Sequence, residues 1–267
     1  MNRRRAVAEI MGTVISIAAP ADTDPEVFDA AAQAAFADLR RADEVFSPFK
    51  PDSPISRLRD GRLELADLVT HRHGTEIKHV LAVCAALKQR SHGAFNAWAV
   101  GDPPVFDPCG AVKGWAAERA SAVLAEHGVL AHALGAGGDV RLRGETAWRI
   151  GIADPHRPGE LIAVAGIADG AIATSGTAER GAHVWDPLRG RPAATLAQVT
   201  VIGPSLTWAD GYATAAIALG ADARGWLTDL ARRTGYEALV VEPDGTRWHT
   251  AGMAAYLGMS PREMMPG

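Results

Sequence analysis

The sequence has 267 residues, of which 48% are hydrophobic and 22% are charged, and its 27 basic and 31 acidic residues give a formal net charge of -4. A chain of this length and composition can bury a full core and falls at the upper end for one domain or the lower end for two, so we expect a soluble globular protein. The charge balance argues against a nucleic-acid partner, since no basic stripe is interleaved with aromatic residues. No apolar run reaches the length of a membrane span.

The two cysteines and the N-terminal residues indicate the cellular compartment in which the protein works. The two cysteines, Cys84 and Cys109, have neither the spacing of a metal site nor that of a disulfide framework. Residues 1–5, which include three arginines, resemble the start of a signal peptide, but the segment that follows contains Glu9 and has no long apolar core. We therefore expect a cytoplasmic protein.

The first third of the chain predicts one strand and two long helices. Hydrophobic periodicity, proline positions and capping residues define these elements. They are a strand over residues 6–18 ended by Pro20, a helix from Asp24 to about Phe46, a proline-rich loop over 46–58 leading into a short helix, and a helix from Thr75 to Arg90. Cys84 falls on the apolar face of the last helix and is expected to be a small core residue.

Residues 93–114 are rich in glycine and other small residues and predict loops that let backbone approach a ligand. Lys113 is expected to open a helix to His127, whose free N–H groups and dipole favour an anion. An ordinary turn with Asp107 as a cap is the alternative. The glycine cluster at 135–140 leads into a strand rather than a helix, which excludes a Rossmann dinucleotide site there.

The second half is rich in strands. The predicted elements are strands at 148–153, 161–168, 171–174 and 198–202, a helix at 223–234, and a hairpin of 238–242 with 246–251. Asp169-Gly170 is expected to form a tight hairpin turn between the second and third of these strands. Because hairpins outnumber βαβ units, we predict an α+β fold, a mainly antiparallel sheet flanked by helices.

Residues 206–220 place two oxygen-bearing side chains in a small, apolar stretch that predicts a helix ending at Gly220. Asp210 and Thr214 are four apart and share one helix face. A carboxylate and a hydroxyl, completed by other oxygens, are suitable ligands for Mg²⁺ bound against a nucleotide. The alternative is that Asp210 caps the helix and Thr214 bonds back to its own main chain.

Residues 174–192 are dense in side chains that bind phosphate or carbonyl oxygens. His183, between Arg180 and Asp186, is the most interesting of the nine histidines. A lone histidine is otherwise usually a structural or surface residue.

Eight short motifs occur in an order that resembles the ApbE family, the FAD:protein FMN transferases. They are Met11-Gly12-Thr13; residues 51–57; 107–114; 137–139; Trp148 with 151–155; Thr174-Ser175-Gly176; His183 with 186–190; and 209–214. The resemblance implies Mg²⁺-dependent cleavage of the FAD pyrophosphate. FMN would be joined by a phosphoester bond to a Thr or Ser of an acceptor flavoprotein, and AMP would be released.

The resemblance also implies a single domain over residues 1–267 and roles for individual residues. Asp210, Thr214 and a main-chain oxygen near Gly110 would hold the metal, and Asp210, Thr214 and His183 would serve catalysis. Residues expected to contact FAD are Met11, Phe49, Ala94, Phe95, Asn96, Asp107, Lys113, Thr174, Ser175, Gly176 and His183.

The sequence departs from the family pattern in several places. It lacks the export signal and lipidation cysteine common in the family, which favours a cytoplasmic acceptor. Phe49 replaces a tyrosine found in many relatives, Asn96 stands where an acid is frequent, and Cys109 is unusual in its loop. Two alternative functions stay open: an FAD pyrophosphatase that yields FMN and AMP, and a non-catalytic FAD-binding protein.

Overall fold

The computed structural model describes residues 3–176 and 184–257. Its strands, in chain order, are β1 (Arg3–Ile10), β2 (Thr13–Pro20), β3 (His132–Ala136), β4 (Asp139–Arg143), β5 (Trp148–Ala153), β6 (Leu161–Ile167), β7 (Gly170–Gly176), β8 (Trp185–Asp186), β9 (Arg191–Pro192), β10 (Gln198–Gly203), β11 (Glu237–Val241) and β12 (Arg247–His249). Its helices are α1 (Pro25–Phe46), α2 (Pro54–Arg59), α3 (Leu65–Thr70), α4 (Gly74–Arg90), α5 (Cys109–Glu126), α6 (Leu206–Leu219), α7 (Ala223–Thr234) and α8 (Met253–Leu257).

The main sheet has eight strands in the order β1-β2-β3-β4-β7-β10-β11-β12, and every neighbouring pair is antiparallel. Helices α1, α5 and α6 cover one face and enclose the larger core. The other face packs against the β5–β6 hairpin and α8 around a smaller core. The predicted α+β fold with an antiparallel sheet is confirmed.

The long helices form where their periodicity and caps predict. The Asp24 carboxylate accepts hydrogen bonds from the N–H groups of Glu26 and Val27, so it caps α1 immediately before a proline at the first helical position. The apolar face of α1 is buried along its whole length. Helix α4 buries Cys84 as expected, and α7 ends at Gly235 in the left-handed conformation.

The strand predicted over residues 6–18 is instead a hairpin of β1 and β2. Met11 and Gly12 form its two-residue turn with φ angles of 59° and 67°. Two consecutive positive φ angles match the twist of the flanking strands. The prediction was wrong because methionine is not a turn-forming residue, so the apolar pattern continues through the turn.

The predicted hairpin turn at Asp169-Gly170 is also wrong. Strand β6 pairs with β5 in the small sheet, whereas β7 pairs with β4 and β10 in the main sheet. The first four residues of β7 and all of β10 are buried, so both strands need cover on two faces and lie at the centre of the main sheet. The chain therefore changes sheets at this point.

Helix α5 begins at Cys109, four positions before the predicted start at Lys113. The Asp107 carboxylate accepts the Cys109 N–H at 2.9 Å, and the Pro108 carbonyl accepts the Val112 N–H at 3.0 Å. The small residues at 110–114 are therefore helical. Their small size allows close helix packing and does not mark a loop. The composition alone does not distinguish these two possibilities.

Within residues 3–176 and 184–257, no helix is both long and apolar enough to cross a membrane.

Candidate functional site

The candidate site lies where α5 and α6 pack against each other, and two rows of residues spaced by four meet there. On α5 the row is Gly110, Gly114 and Glu118; on α6 it is Leu206, Asp210 and Thr214. The rows run in opposite directions, so that Gly110 faces Thr214, Gly114 faces Asp210 and Glu118 faces Leu206. Rows with this spacing form the ridges by which helices pack.

Asp210 lies in the interior of α6, whose cap is Ser205, and it is only 4% exposed. Its Oδ2 accepts the Gly114 N–H at 2.9 Å, and its Oδ1 lies 3.3 Å from Lys113 Nζ. The alternative interpretation of Asp210 as a helix cap is therefore wrong. The carboxylate joins two helices at the centre of their contact.

Thr214 stands one turn further along α6, on the same face as Asp210. Its Oγ1 lies 3.5 Å from Ser175 Oγ at the end of β7. A Cβ on Gly110 would lie 3.3 Å from Thr214 Cγ2 and 3.1 Å from the Phe95 ring, so glycine brings the α5 main chain close to the threonine. The structure thus brings Asp210, Thr214 and Gly110 together, as expected.

The Gly110 carbonyl is a suitable main-chain ligand at this position. In a regular helix it would accept the Gly114 N–H, four residues later. That N–H donates to Asp210 Oδ2, and a carbonyl oxygen has two lone pairs, so the Gly110 oxygen has acceptor capacity for a metal. A carboxylate, a hydroxyl and a main-chain carbonyl, all hard oxygen donors, are a set that fits Mg²⁺.

Lys113 links Asp210 to a second buried carboxylate, Asp139, at the start of β4. Its Nζ contacts Asp139 Oδ2, and Asp139 Oδ1 accepts the Thr174 N–H at 2.9 Å. Asp139 is fully buried. Two carboxylates facing one ammonium leave a net negative charge in a low-dielectric environment, which favours a further cation.

The remaining predicted contacts line one end of the main sheet. The Met11-Gly12 turn lies beside the Gly137-Gly138 turn, since a Cβ on Gly137 would lie 2.6 Å from Thr13 Oγ1. Strand β7 ends with Thr174, Ser175 and Gly176 at this same end of the sheet, next to Asp139.

The glycine-rich segment and the segment after β7 also approach each other. A Cβ on Gly93 would lie 3.4 Å from a methyl group of Leu188. Ala94 and Phe95 have buried side chains, so they would contact a ligand mainly through their main chain. Asn96 accepts the Trp98 N–H with its side-chain oxygen at 3.2 Å.

Phe49 is 88% exposed and lines a groove of about 240 Å³ together with Arg59. This groove adjoins the start of α5. Desolvation, followed by the neighbouring Asp107 carboxylate, raises the pKa of the Cys109 thiol, while the Arg59 guanidinium opposes that change. Cys109 is accessible to solvent but surrounded by protein on the remaining sides, and its raised pKa keeps it a neutral thiol.

His183 lies outside the described residues, and its assignment stays a prediction. Asp186, three residues later, accepts hydrogen bonds from the N–H groups of Leu188 and Arg189 and from the Arg189 side chain. Its carboxylate therefore shapes the turn between β8 and β9.

Sequence reasoning gave no role to Asp139 or Glu118. A signal for Glu118 exists: it continues the row of Gly110 and Gly114 at a spacing of four. Asp139 offers a weaker signal, an acidic residue directly after two turn glycines.

Comparisons with known proteins agree with this geometry. The sequence profile of the ApbE family matches residues 11–102 and 103–240. A Salmonella typhimurium protein named FAD:protein FMN transferase is 30% identical over 152 residues, which cover 52% of this chain and 43% of that protein. A Treponema pallidum protein of the same name is 31% identical over 163 residues, or 53% of this chain and 44% of that protein. The chain spans less than half the length of these curated relatives.

Two solved structures have the same fold. The ApbE protein of Thermotoga maritima superposes with a TM-score of 0.80 at 21% identity, over 96% of this chain and 99% of that one. The flavin transferase ApbE of Vibrio cholerae gives 0.75 at 19% identity, over 96% and 100% of the two chains.

Proposed function

The chain belongs to the ApbE family, and from this premise we propose that it is a Mg²⁺-dependent FAD:protein FMN transferase. It would cleave the FAD pyrophosphate, attach FMN through a phosphoester bond to a Thr or Ser of an acceptor flavoprotein and release AMP. The curated relatives named above carry this activity in their names.

One observation carries the proposal: the packing of α5 on α6 places Asp210, Thr214 and the Gly110 main chain at one point. Among the residues that the structure describes, two buried carboxylates, Asp210 and Asp139, contact a single ammonium group, that of Lys113. The excess negative charge is what a divalent cation would neutralise.

In this proposal Asp210, Thr214 and the Gly110 carbonyl would hold Mg²⁺. The bound metal would neutralise charge on the phosphates as the phosphoryl group transfers. Lys113 would supply a positive charge to the same phosphates while Asp139 holds its ammonium in place. The Ser175 and Thr174 groups at the end of β7 would orient the FAD on the opposite side.

The bond changes require no nucleophilic side chain from the enzyme. The acceptor hydroxyl oxygen forms a bond to the phosphorus of the FMN half, and the anhydride bond to the AMP half breaks. AMP leaves with the bridging oxygen, and the hydroxyl proton is lost. His183 is proposed to contribute to catalysis or FAD binding.

The surroundings of the site suit a flavin. The exposed Phe49 ring offers a face on which the isoalloxazine can stack, although it lacks the hydroxyl of a tyrosine. Met11 and the main chain of Ala94, Phe95 and Asn96 are proposed to line the same ring system. Asp107 would lie along the ligand while it fixes the start of α5.

Incubation of the pure protein with FAD and Mg²⁺, and then chromatography of the nucleotides, tests this proposal. We expect AMP to form only with Mg²⁺, and FMN to become covalently attached when a suitable acceptor is added. AMP with free FMN, in the presence of an acceptor, would identify an FAD pyrophosphatase. Stable FAD binding without AMP, when Mg²⁺ and an acceptor are both present, would identify a binding protein.

A further inference from the structure

Glu118 forms the third contact between the two helix rows. Its Oε2 accepts the main-chain N–H of Leu206, the first residue of α6, at 2.6 Å. Its Oε1 accepts a hydrogen bond from Arg141 Nε at 2.8 Å. One carboxylate on α5 therefore ties the start of α6 to strand β4.

The N-terminus of α6 depends on this contact. Ser205 occupies the cap position but makes no side-chain capping bond. The first N–H groups of a helix need acceptors, and an anion there interacts favourably with the helix dipole. Glu118, which lies on the neighbouring helix α5, supplies both the acceptor and the negative charge.

Arg141 gives Glu118 a fixed support. The guanidinium is buried, and its second nitrogen donates to the Gly170 carbonyl at 2.9 Å and to Asp169 Oδ1 at 2.6 Å. Asp169 is at the exposed end of this network, with a side chain that is 65% exposed. Glu118, whose side chain is 22% exposed, is the part that reaches α6.

The glycines in the α5 row give Glu118 its importance. Gly110 and Gly114 have no side chains to interlock with α6, so they allow close approach, and at these two positions a shift of one helix along the other is opposed by the Gly114 N–H bond to Asp210. A shift would carry Asp210 and Thr214 away from the Gly110 carbonyl together. The Glu118 bond to Leu206 opposes that shift.

We propose that Glu118 is a positioning residue for the metal ligands, because it sets where α6 sits along α5. This inference rests on the proposed Mg²⁺-dependent function. Glu118 need not touch the metal or FAD. Its loss should weaken metal binding while the FAD contacts formed by other elements persist.

The test compares Glu118→Gln with Asp169→Asn. Glutamine is nearly isosteric, but it is neutral and has one acceptor oxygen, so it cannot keep the present arrangement in which Leu206 N–H meets Oε2 and Arg141 Nε–H meets Oε1. Asp169→Asn weakens the same network at its exposed end and leaves the bond to Leu206. Mn²⁺ binding is measured from the EPR signal of free Mn²⁺, FAD binding is measured in EDTA, and thermal melts confirm folding.

We expect Glu118→Gln to weaken Mn²⁺ binding by about tenfold, the range seen for residues that orient metal ligands, with metal-free FAD binding unchanged. Asp169→Asn should bind Mn²⁺ like the wild type. If Glu118→Gln fails to fold, Glu118→Asp, which keeps the charge but shortens the reach, should show the same loss.

Wild-type Mn²⁺ affinity in a folded Glu118 variant would overturn the inference, as would an equal loss in Asp169→Asn. The proposed function is tested separately, by AMP formation in the wild-type protein. Wild-type protein that binds Mn²⁺ but forms no AMP from FAD, even with an acceptor flavoprotein present, would refute the enzyme activity, and the comparison of variants would still decide the role of Glu118.

Discussion

At the residue scale, the site depends on Gly114, which has no side chain, as much as on the side chains of its neighbours. A Cβ on Gly114 would lie 2.6 Å from the Leu206 carbonyl oxygen and 2.7 Å from Asp210 Cβ. The first of these neighbours is main chain and cannot rotate away. Gly114 therefore permits the helix contact that brings Asp210 to the α5 main chain.

We predict that Gly114→Ala destabilises the protein by about 2 kcal/mol, the range for overpacking, despite the higher helix propensity of alanine. It should also greatly reduce AMP formation, because α6 must move away. Urea unfolding and the nucleotide assay measure the two effects. Gly225→Ala on α7 is the matched control, since its Cβ would meet nothing within 4 Å; it should stabilise slightly. Equal stability of the two variants would contradict this packing argument.

The Asp210–Thr214 pair was predictable from sequence because two oxygen-bearing residues share one helix face in an apolar stretch. Their partners were not. Lys113 reaches Asp210 from α5 and Asp139 reaches Lys113 from β4, and no local pattern specifies which acidic residue a lysine contacts after folding. The family resemblance supplied the Gly110 assignment, which the residues alone did not give.

At the scale of elements, His132 joins β3 to α5 through a buried network. The ring is fully buried, with Nε2 2.7 Å from Ser121 Oγ and Nδ1 2.7 Å from the Val129 carbonyl oxygen. Burial lowers its pKa from 6.5 to about 4, although the bond to Val129 opposes the change. Because Nδ1 faces a carbonyl, it carries the proton of the neutral ring, and Ser121 donates to Nε2.

This lowered pKa predicts a stability that depends on pH. Between pH 6.5 and 4 the unfolded chain binds the proton and the folded chain does not. The contribution is therefore fully present above pH 6.5 and is lost as the pH falls, by about 3 kcal/mol at most. Urea unfolding across this range should show the decline, and His132→Gln should show a shallower one. An identical pH slope in the variant would contradict the assignment.

Elements were predictable where local signals agree. Helices α1, α4 and α7 carry a helical period together with recognisable caps, and the final hairpin has a proline, aspartate and glycine in its turn. Strand partners were less predictable. Whether β7 pairs with β6 or with β4 depends on which faces the whole fold covers, and an Asp-Gly pair is compatible with either arrangement.

At the scale of the whole molecule, the fold gathers distant segments at one end of the sheet. The β1–β2 turn, the β3–β4 turn and the end of β7 meet the helix pair there. Loops on such a rigid scaffold commonly carry binding groups. We therefore place FAD between residues 93–114 and residues 174–192.

Hydrogen exchange tests this placement. FAD should slow exchange in peptides from 93–114 and from 174–192, because bound ligand excludes water and favours the closed main chain. Peptides from α7, which belongs to neither segment, serve as the internal control. Unchanged exchange in both segments at saturating FAD would contradict the placement.

The central claim is that Asp210 is a metal ligand needed for chemistry. Asparagine can still accept the Gly114 N–H, so Asp210→Asn should fold, yet it removes the full charge from the metal site. Thr214→Val is nearly isosteric and should also slow AMP formation. The loss should be smaller than in Asp210→Asn, because a hydroxyl contributes only a dipole to the metal site.

The most direct test measures AMP formation from FAD with Mg²⁺ and FAD affinity, side by side, in the wild type and in Asp210→Asn. We predict that the variant melts like the wild type, binds FAD nearly as well and forms AMP more slowly by about 100-fold or more, as when one well-placed electrostatic contact is removed. An Asp210→Asn protein that forms AMP at the wild-type rate would contradict the metal site and with it the proposed catalysis.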